Sequence, residues 1–160
     1  MKGLLIDGIA PESIAAEFEL LPGDRLLAVN GHPLRDIIDY SYYTSSDEEL
    51  LLEVARADGE IWELEVEREV GEPLGLTFAP PAPARCRNNC IFCFVHQLPK
   101  GLRKPLYVKD EDYRLSFLNG NYVTLANLKP GELNRIIEQR LSPLYISVHA
   151  TNPELRRHPL

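Results

Sequence analysis

The chain has 160 residues, of which 44% are hydrophobic, and carries a net charge of -7. This length holds one domain of ordinary size or two small ones. No apolar run approaches the roughly 20 residues of a membrane span, and an acidic residue follows too soon after the N-terminus for a signal peptide. These features predict a cytoplasmic protein, in which a reducing environment argues against a disulfide framework.

Charge is distributed unevenly along the chain. Residues 1–80 contain 5 Lys and Arg against 18 Asp and Glu, whereas residues 81–160 contain 12 against 6. A shift of this size indicates a domain boundary. The proline-rich run at residues 79–84 is typical of a stiff, extended linker. We therefore predict a first domain at residues 1–78, a linker at residues 79–85 and a second domain at residues 86–160.

The first domain shows alternating signals for strands and helices. A strand at residues 3–6 precedes a helix over residues 14–18, for which Ser13 is a candidate N-cap. Asn30-Gly31 supplies the positive φ angles of a tight turn after a strand at residues 25–29. Pro33 suits the first turn of a second helix. Two further strands are predicted at residues 50–56 and 61–68, the second with alternating apolar and glutamate residues that give it one solvated face.

Residues 6–15 (Ile-Asp-Gly-Ile-Ala-Pro-Glu-Ser-Ile-Ala) and 21–31 (Leu-Pro-Gly-Asp-Arg-Leu-Leu-Ala-Val-Asn-Gly) resemble the core of a PDZ domain. The family's carboxylate-binding loop usually precedes this core, but here its best match follows, at residues 72–78. The resemblance implies a circularly permuted PDZ-like domain, a small β-barrel or sandwich, that binds a peptide or protein C-terminus by strand addition. The implied peptide-binding residues are Leu74, Gly75, Leu76 and Thr77. Alternatively, this domain only packs against the second.

All three cysteines, Cys86, Cys90 and Cys93, lie within eight positions in a C-x3-C-x2-C spacing. Thiolate is a soft ligand that iron and zinc prefer, so the spacing predicts a metal site on a loop. Three ligands leave one iron of a cubane cluster open, whereas closed zinc sites and ferredoxin clusters normally use four. Zinc with His96 as the fourth ligand and free structural thiols remain as alternatives.

The same spacing, with Phe92 before the last cysteine, resembles the signature of the radical S-adenosylmethionine enzymes. The resemblance implies that the three cysteines hold a 4Fe–4S cluster whose open iron chelates S-adenosylmethionine, with Phe92 near the adenine. It also implies that an electron from the cluster cleaves S-adenosylmethionine and that a 5′-deoxyadenosyl radical then abstracts hydrogen from an unknown substrate. The electron would come from a reductant such as flavodoxin or ferredoxin.

Later segments resemble parts of a radical enzyme's β/α barrel. A strand is predicted at residues 112–118, followed by a counterpart of the glycine-rich turn that contacts S-adenosylmethionine. A helix is predicted from residue 130, and then a buried strand at residues 144–150 that places Ser147 and His149 at a strand end. Repeated strand–helix units predict a parallel β/α arrangement. The cofactor-binding residues that the resemblance implies are Phe92, Asn119, Gly120, Asn121 and Ser147.

Residues 86–110 resemble one subgroup most closely: bacterial Fe–S oxidoreductases that join an N-terminal PDZ domain to a radical S-adenosylmethionine core and a C-terminal domain of unknown function. His96 departs from the aspartate expected there. Residues 86–160 are too few for a partial six-strand barrel at roughly 30 residues per βαβ unit. We therefore expect an N-terminal piece of a larger enzyme, mixed α and β, with the first β/α units of an incomplete radical SAM partial TIM barrel.

Two other functions stay open at this point. The first domain would act as a peptide-binding PDZ adaptor if the truncated remainder is inactive. The second domain would contact RNA if its basic residues face a nucleic acid, although they lack interleaved aromatic residues apart from Tyr107. The basic residues concerned are Lys100, Arg103, Lys104 and Lys109.

Overall fold

The computed structural model describes residues 3–157. The chain divides into two compact units, Met1–Pro81 and Ala82–Leu160. Within residues 3–157, none of the helices has the length and apolar character that a membrane crossing requires.

The first unit is built on an antiparallel sheet. Its elements are β1 (Leu4–Ile9), α1 (Ile14–Glu17), β2 (Arg25–Val29), β3 (His32–Pro33), α2 (Ile37–Tyr43), β4 (Glu49–Ala55), β5 (Ile61–Glu67) and β6 (Leu76–Phe78). The strands lie in the order β5-β4-β2-β1-β6, and β3 pairs with β2 beside this path. The sheet therefore joins β1 to β6, which are far apart in the sequence.

One face of this sheet supplies the core of the unit. Because side chains alternate along a strand, β4 directs Leu50, Leu52 and Val54 to the same side, where each is at most 2% exposed. Leu26 and Leu74 pack into the same cluster. On β5 the glutamates alternate with the buried or half-buried apolar residues, as predicted.

The local signals of the first unit are mostly confirmed. Ser13 caps α1 by accepting a hydrogen bond from the Ala16 N–H, and β2 spans the predicted residues. Asn30 and Gly31 adopt φ values of 50° and 74°. The prediction that Pro33 opens a helix is wrong, because Pro33 lies in β3. Helix α2 starts at Ile37 instead, after Asp36, whose carboxylate accepts from the first backbone N–H groups.

The second unit contains short helices around two short strands. Its elements are α3 (Phe94–Gln97), a 3-10 helix (Lys104–Tyr107), α4 (Tyr113–Asn119), β7 (Tyr122–Val123), α5 (Glu132–Glu138), β8 (Tyr145–Ile146) and α6 (Pro153–Arg157). β7 and β8 pair in parallel, Tyr122 with Tyr145 and Val123 with Ile146. The parallel β/α arrangement is thus confirmed, and the described residues do not close a barrel.

Two strand predictions in this unit are wrong. Residues 113–119 form helix α4, which Asp112 caps at its start and Gly120 ends with a φ of 75°. Residues 144–150 are not a buried strand, because only Tyr145 and Ile146 are extended and both are more than 40% exposed. The helix predicted from residue 130 is confirmed as α5, although Ile136 is the one apolar residue of its predicted face that is buried.

Candidate functional site

The three cysteines lie on one irregular segment, residues 86–93, here called the cysteine loop. All three are free thiols of intermediate exposure. The Cys93 N–H donates to the Cys90 carbonyl at 3.1 Å, and Cys93 then precedes α3. Burial and the neighbouring Cys86 sulfur raise the pKa of the Cys90 thiol, which indicates that the sulfurs influence one another. The prediction of a loop is confirmed.

The three thiols are compatible with an iron–sulfur cluster that takes three protein ligands. Within residues 3–157, no three His, Cys, Asp or Glu side chains converge closely enough to hold one metal ion. A cubane distributes three thiolates over three irons, so its ligands do not have to meet at one point. The proposed fourth zinc ligand, His96, instead has its Nε2 atom 3.3 Å from the Lys109 ammonium, a charge that opposes a divalent cation there.

A short backbone ribbon anchors the start of the cysteine loop. Residues 84–86 run antiparallel to residues 109–111, with Arg85 opposite Asp110. The Glu111 N–H donates to the Ala84 carbonyl at 2.9 Å, and the Cys86 N–H donates to the Lys109 carbonyl at 2.8 Å. The first cysteine is therefore held by a segment that lies more than 20 residues further along the chain.

Two acidic residues extend this anchor to the rest of the unit. One Glu111 carboxylate oxygen accepts from the N–H groups of Thr124 and Leu125, at 2.6 and 2.7 Å, directly after β7. Asp112 accepts from the Ala84 N–H at 2.9 Å and forms an ion pair with Arg114 at 2.6 Å. Together these bonds join the cysteine loop to the end of β7 and the start of α4.

The carboxyl ends of the parallel strands lie beside the cysteine loop. The ring centroids of Phe92 and His149 are 4.1 Å apart, and His149 follows β8. The Ser147 N–H donates to the Val123 carbonyl at 2.8 Å, so Ser147 continues the pairing of β8 with β7. Ligands of parallel α/β sheets bind outside the carboxyl ends of the strands. The structure thus brings Phe92, Ser147 and His149 to the end of the sheet where a cofactor is expected.

The segment Asn119-Gly120-Asn121 lies elsewhere. It ends α4 and precedes β7, at the amino end of the parallel pair, and Gly120 faces the Tyr145 ring. The Asn121 amide contacts Asp110 at 3.4 Å. Asp110 belongs to the ribbon that anchors the cysteine loop, and the role of this segment in cofactor binding stays a prediction.

Two asparagine amides near this site were missed by the sequence analysis. The Nδ2 atoms of Asn88, in the cysteine loop, and Asn127, after β7, are buried and have no hydrogen-bond partner among the described residues. A buried amide without a partner is costly, so each is a donor available to a bound group. The sequence signal was weak, since asparagine is common in loops.

In the first unit, the predicted peptide-binding segment forms the last strand of the sheet. Within residues 3–157, β6 pairs with β1 on one side only. Phe78 contacts the Tyr40 ring of α2, with centroids 4.9 Å apart, so α2 flanks this edge. Leu74 is 1% exposed and its side chain belongs to the core, whereas Leu76 is half-buried and Thr77 is exposed.

Comparison with protein families separates the same two regions. The model of the Radical SAM-like domain matches residues 68–160, which include the cysteine loop and both strands of the parallel pair. The chain belongs to the Radical SAM-like domain family. A PDZ domain model matches residues 5–56. A PDZ domain followed by a Radical SAM-like domain is the combination that the sequence resemblance implied.

Two solved structures give further similarities. The PDZ domain of an SdrC-like protein from Listeria monocytogenes is 16% identical, with 49% of this chain and 88% of that chain covered and a TM-score of 0.39. The corresponding domain from Listeria innocua is 13% identical, with 51% and 98% covered and a TM-score of 0.41. No curated protein matches the chain. The PDZ assignment rests on the family model.

Proposed function

We propose that the Radical SAM-like domain holds a 4Fe–4S cluster through Cys86, Cys90 and Cys93 and binds S-adenosylmethionine at the open iron. The contact between Phe92 and His149 supports this proposal, because Phe92 lies in the cysteine loop and His149 follows β8 at the carboxyl end of the parallel pair. When bound, the cluster and S-adenosylmethionine supply a one-electron cleavage that yields a 5′-deoxyadenosyl radical for an unknown substrate.

Residues around the loop orient the bound groups. Phe92, packed on His149, offers a flat apolar surface to the adenine. The Asn127 amide is better placed than Asn119 to donate to the amino acid part of S-adenosylmethionine, because Asn127 follows β7 and lacks a partner among the described residues. Ser147 lies at the same carboxyl edge.

Anaerobic reconstitution tests this proposal. We expect a brown protein that binds about four irons per chain, as one cubane requires. After reduction it should give a paramagnetic signal, and this signal should change when S-adenosylmethionine is added. Replacing Cys90 by Ala should abolish iron binding, and replacing the exposed Ser45 by Ala should leave it unchanged. A colourless protein with one tightly bound zinc would refute the cluster. Release of 5′-deoxyadenosine with dithionite would establish the reaction.

We also propose that an acidic electron carrier, such as flavodoxin or ferredoxin, reduces the cluster. Ile91, between the second and third cysteines, and Phe94, directly after the third, are 73% and 84% exposed. The basic residues Lys100, Arg103 and Lys104 are exposed close by in the sequence. Apolar contacts within a positively charged surface suit an acidic partner. The cytoplasm, where such carriers work and cysteines stay reduced, is the proposed location.

A second function, peptide binding, is favoured by the outer edge of β6. We propose that the PDZ domain is circularly permuted and spans residues 1–78, that residues 79–85 are a linker, and that residues 86–160 belong to the radical SAM domain. The pairing of β6 with β1 supports the permutation, because it adds the segment after residue 56 to the matched core. Strand addition at this edge would use backbone groups of Leu76 and Phe78.

Titration of the full chain with labelled peptides tests this second function. The Ala79 N–H donates to the Leu5 carbonyl, and the Gly75 carbonyl accepts from the Ala10 N–H, so both groups face β1 or its extension. Because successive backbone groups along a strand point to opposite sides, the Leu76 N–H points to the open edge. Replacing Leu76 by Pro should therefore weaken binding about tenfold, whereas Leu76→Ala should not. Peptides with a free carboxylate should bind more tightly than their amides. Equal binding of both peptide forms to both variants would exclude this groove.

A further inference from the structure

Lys109 contacts the cysteine loop at its start and in its middle, and helix α3 just beyond it. Its backbone carbonyl accepts from the Cys86 N–H at 2.8 Å. Its ammonium donates to the carbonyl of Asn88, between the first two cysteines, and lies 3.3 Å from His96 Nε2, just beyond the third. One residue from a distant segment thus connects the beginning, the middle and the far side of the loop.

The position of Lys109 is itself fixed. It begins the ribbon with residues 84–86, and Glu111 and Asp112, which follow in the same segment, bind the end of β7 and the start of α4. Lys109 is half-buried, whereas its basic neighbours in the sequence, Lys100, Arg103 and Lys104, are exposed. This difference sets Lys109 apart from the solvated charges and argues against nucleic-acid contact through its ammonium.

An ammonium held against the Asn88 carbonyl of the cysteine loop has a predictable electrostatic effect on a cluster bound by that loop. Reduction adds a negative charge to a cluster, and a nearby positive charge favours that state. Hydrogen bonds and net charge around the thiolates are the means by which proteins set the reduction potential of iron–sulfur clusters. Removing the ammonium should therefore make the cluster harder to reduce.

We propose that Lys109 is a positioning residue that holds the cysteine loop in one conformation and raises the reduction potential of the cluster. The effect on the reduction potential rests on the proposed function. The effect on the conformation of the cysteine loop also applies to the protein without iron, because all three contacts exist between residues of the chain itself.

Four variants separate the bond from the charge. Lys109→Met removes both, Lys109→Gln keeps a donor for the Asn88 carbonyl but no charge, and Lys109→Arg keeps the charge. Lys104→Met is the matched control, since Lys104 is an exposed lysine of the same region. The iron-free protein is measured by hydrogen exchange at residues 86–97, and the reconstituted protein by redox titration.

In the iron-free protein, the backbone amides of residues 86–97 should exchange about tenfold faster in Lys109→Met than in the wild type, because a charge-assisted hydrogen bond is lost. Lys109→Arg and Lys104→Met should exchange at the wild-type rate. In the reconstituted protein, the midpoint potential should fall in Lys109→Met and in Lys109→Gln and stay unchanged in Lys104→Met. Should Lys109→Met fail to fold, the Gln variant still tests the charge.

Unchanged exchange in Lys109→Met would overturn the positioning role, and an unchanged potential in both neutral variants would overturn the electrostatic role. Failure of the wild type to bind iron would refute the proposed function together with the electrostatic role. The exchange measurement would still decide the positioning role, so the two failures are distinguishable.

Discussion

Asp112 connects three parts of the second unit through one carboxylate. It is 2% exposed, caps α4, and binds both the Ala84 N–H and the Arg114 guanidinium. Burial alone would raise the pKa of Asp112, but the hydrogen bonds from Arg114 and Ala84 outweigh it and hold the pKa below its usual value of 3.8. The ionised form is therefore favoured by folding.

Replacing Asp112 by Asn should lower the free energy of unfolding by about 3 kcal/mol at pH 7, because it leaves Arg114 without its buried counter-ion. A depressed pKa contributes stability above the unfolded-state pKa, and this contribution is lost as the pH falls through the folded-state pKa. The difference between variant and wild type should thus shrink below pH ~4. Urea titrations at neutral and acidic pH measure it.

Glu138→Gln on α5 is the control, because Glu138 is an exposed carboxylate of the same unit. Its unfolding curve should match the wild type at both pH values. A loss of stability in Asp112→Asn that stays constant down to strongly acidic pH would show that the carboxylate charge is not responsible.

Gly75 is required by close packing as well as by its backbone conformation. Its φ is 80°, and an added Cβ would lie 2.2 Å from the Ser13 Cβ. Gly71 has nearly the same φ, 79°, but such a Cβ would meet no atom of the described residues within 4 Å. Peptide binding therefore cannot be tested by enlarging Gly75, because that change disturbs the fold.

Gly75→Ala should destabilise the first unit by roughly 2 kcal/mol or more, and Gly71→Ala by about 1 kcal/mol. A positive φ is unfavourable for alanine at both positions, but only at position 75 does the added methyl group collide with a neighbouring side chain. Replacing Ser13 by Gly removes the obstructing atoms. In that background Gly75→Ala should cost no more than Gly71→Ala. Thermal unfolding of the single and double variants decides this, and equal costs for Gly75→Ala in both backgrounds would contradict it.

At the level of elements, the hairpin of β4 and β5 carries like charges in register. Glu49 lies opposite Glu67 and Glu53 opposite Glu63, whereas Glu65 lies opposite Leu51. Directly opposed like charges destabilise an antiparallel pair. These repulsive pairs therefore lower the free energy of unfolding of the first unit.

Glu63→Lys should raise the free energy of unfolding by about 0.5 kcal/mol, because it turns a repulsive cross-strand pair into an attractive one. Glu65→Lys makes the same charge change opposite an apolar residue and should give a clearly smaller gain. Added salt should reduce the difference. Identical effects of the two variants at low salt would mean that only net charge matters.

Helix α4 forms where a strand was predicted. Tyr113 and Ser116, three residues apart, are both buried, and the Ser116 hydroxyl accepts from the Tyr145 N–H at 2.9 Å. An N-cap Asp before the segment and a C-cap Gly after it are helix signals that were present in the sequence. The strand prediction is wrong because these end signals, and not the apolar residues between them, decide the conformation of the segment.

At the level of the whole chain, the uneven distribution of charge provides a test of the proposed acidic reductant. The proposal requires that this carrier docks on the basic second half and not on the acidic first half. Reversing Lys100, Arg103 and Lys104 to Glu should slow cluster reduction by flavodoxin about tenfold at low salt, and less at high salt. Arg157→Glu is the control, because Arg157 is an exposed basic residue of α6.

Reduction by a small photoreduced flavin should proceed at the same rate in all of these variants. Equal slowing by flavodoxin and by the small flavin would show that the substitutions act on the cluster. Equal slowing in Arg157→Glu would show that net charge, and not the region near Phe94, guides the carrier.

The sequence by itself determined the features that depend on near neighbours. The cysteine spacing, the Ser13 cap and the turn at Asn30-Gly31 each involve residues a few positions apart, so local chemistry suffices to predict them. The β4–β5 hairpin joins two strands that follow one another directly in the chain, so strand patterns and a turn predict it as well. Resemblance over such stretches also indicated both families.

The tertiary structure alone decided which distant segments meet. The pairing of β6 with β1, the contact of Phe92 with His149 and the hold of Lys109 on the cysteine loop join residues 13 to more than 60 positions apart. Such contacts form when the favourable free energy of packing and burial in the whole unit exceeds the entropic cost of closing long loops. This balance cannot be predicted from any short stretch of the sequence.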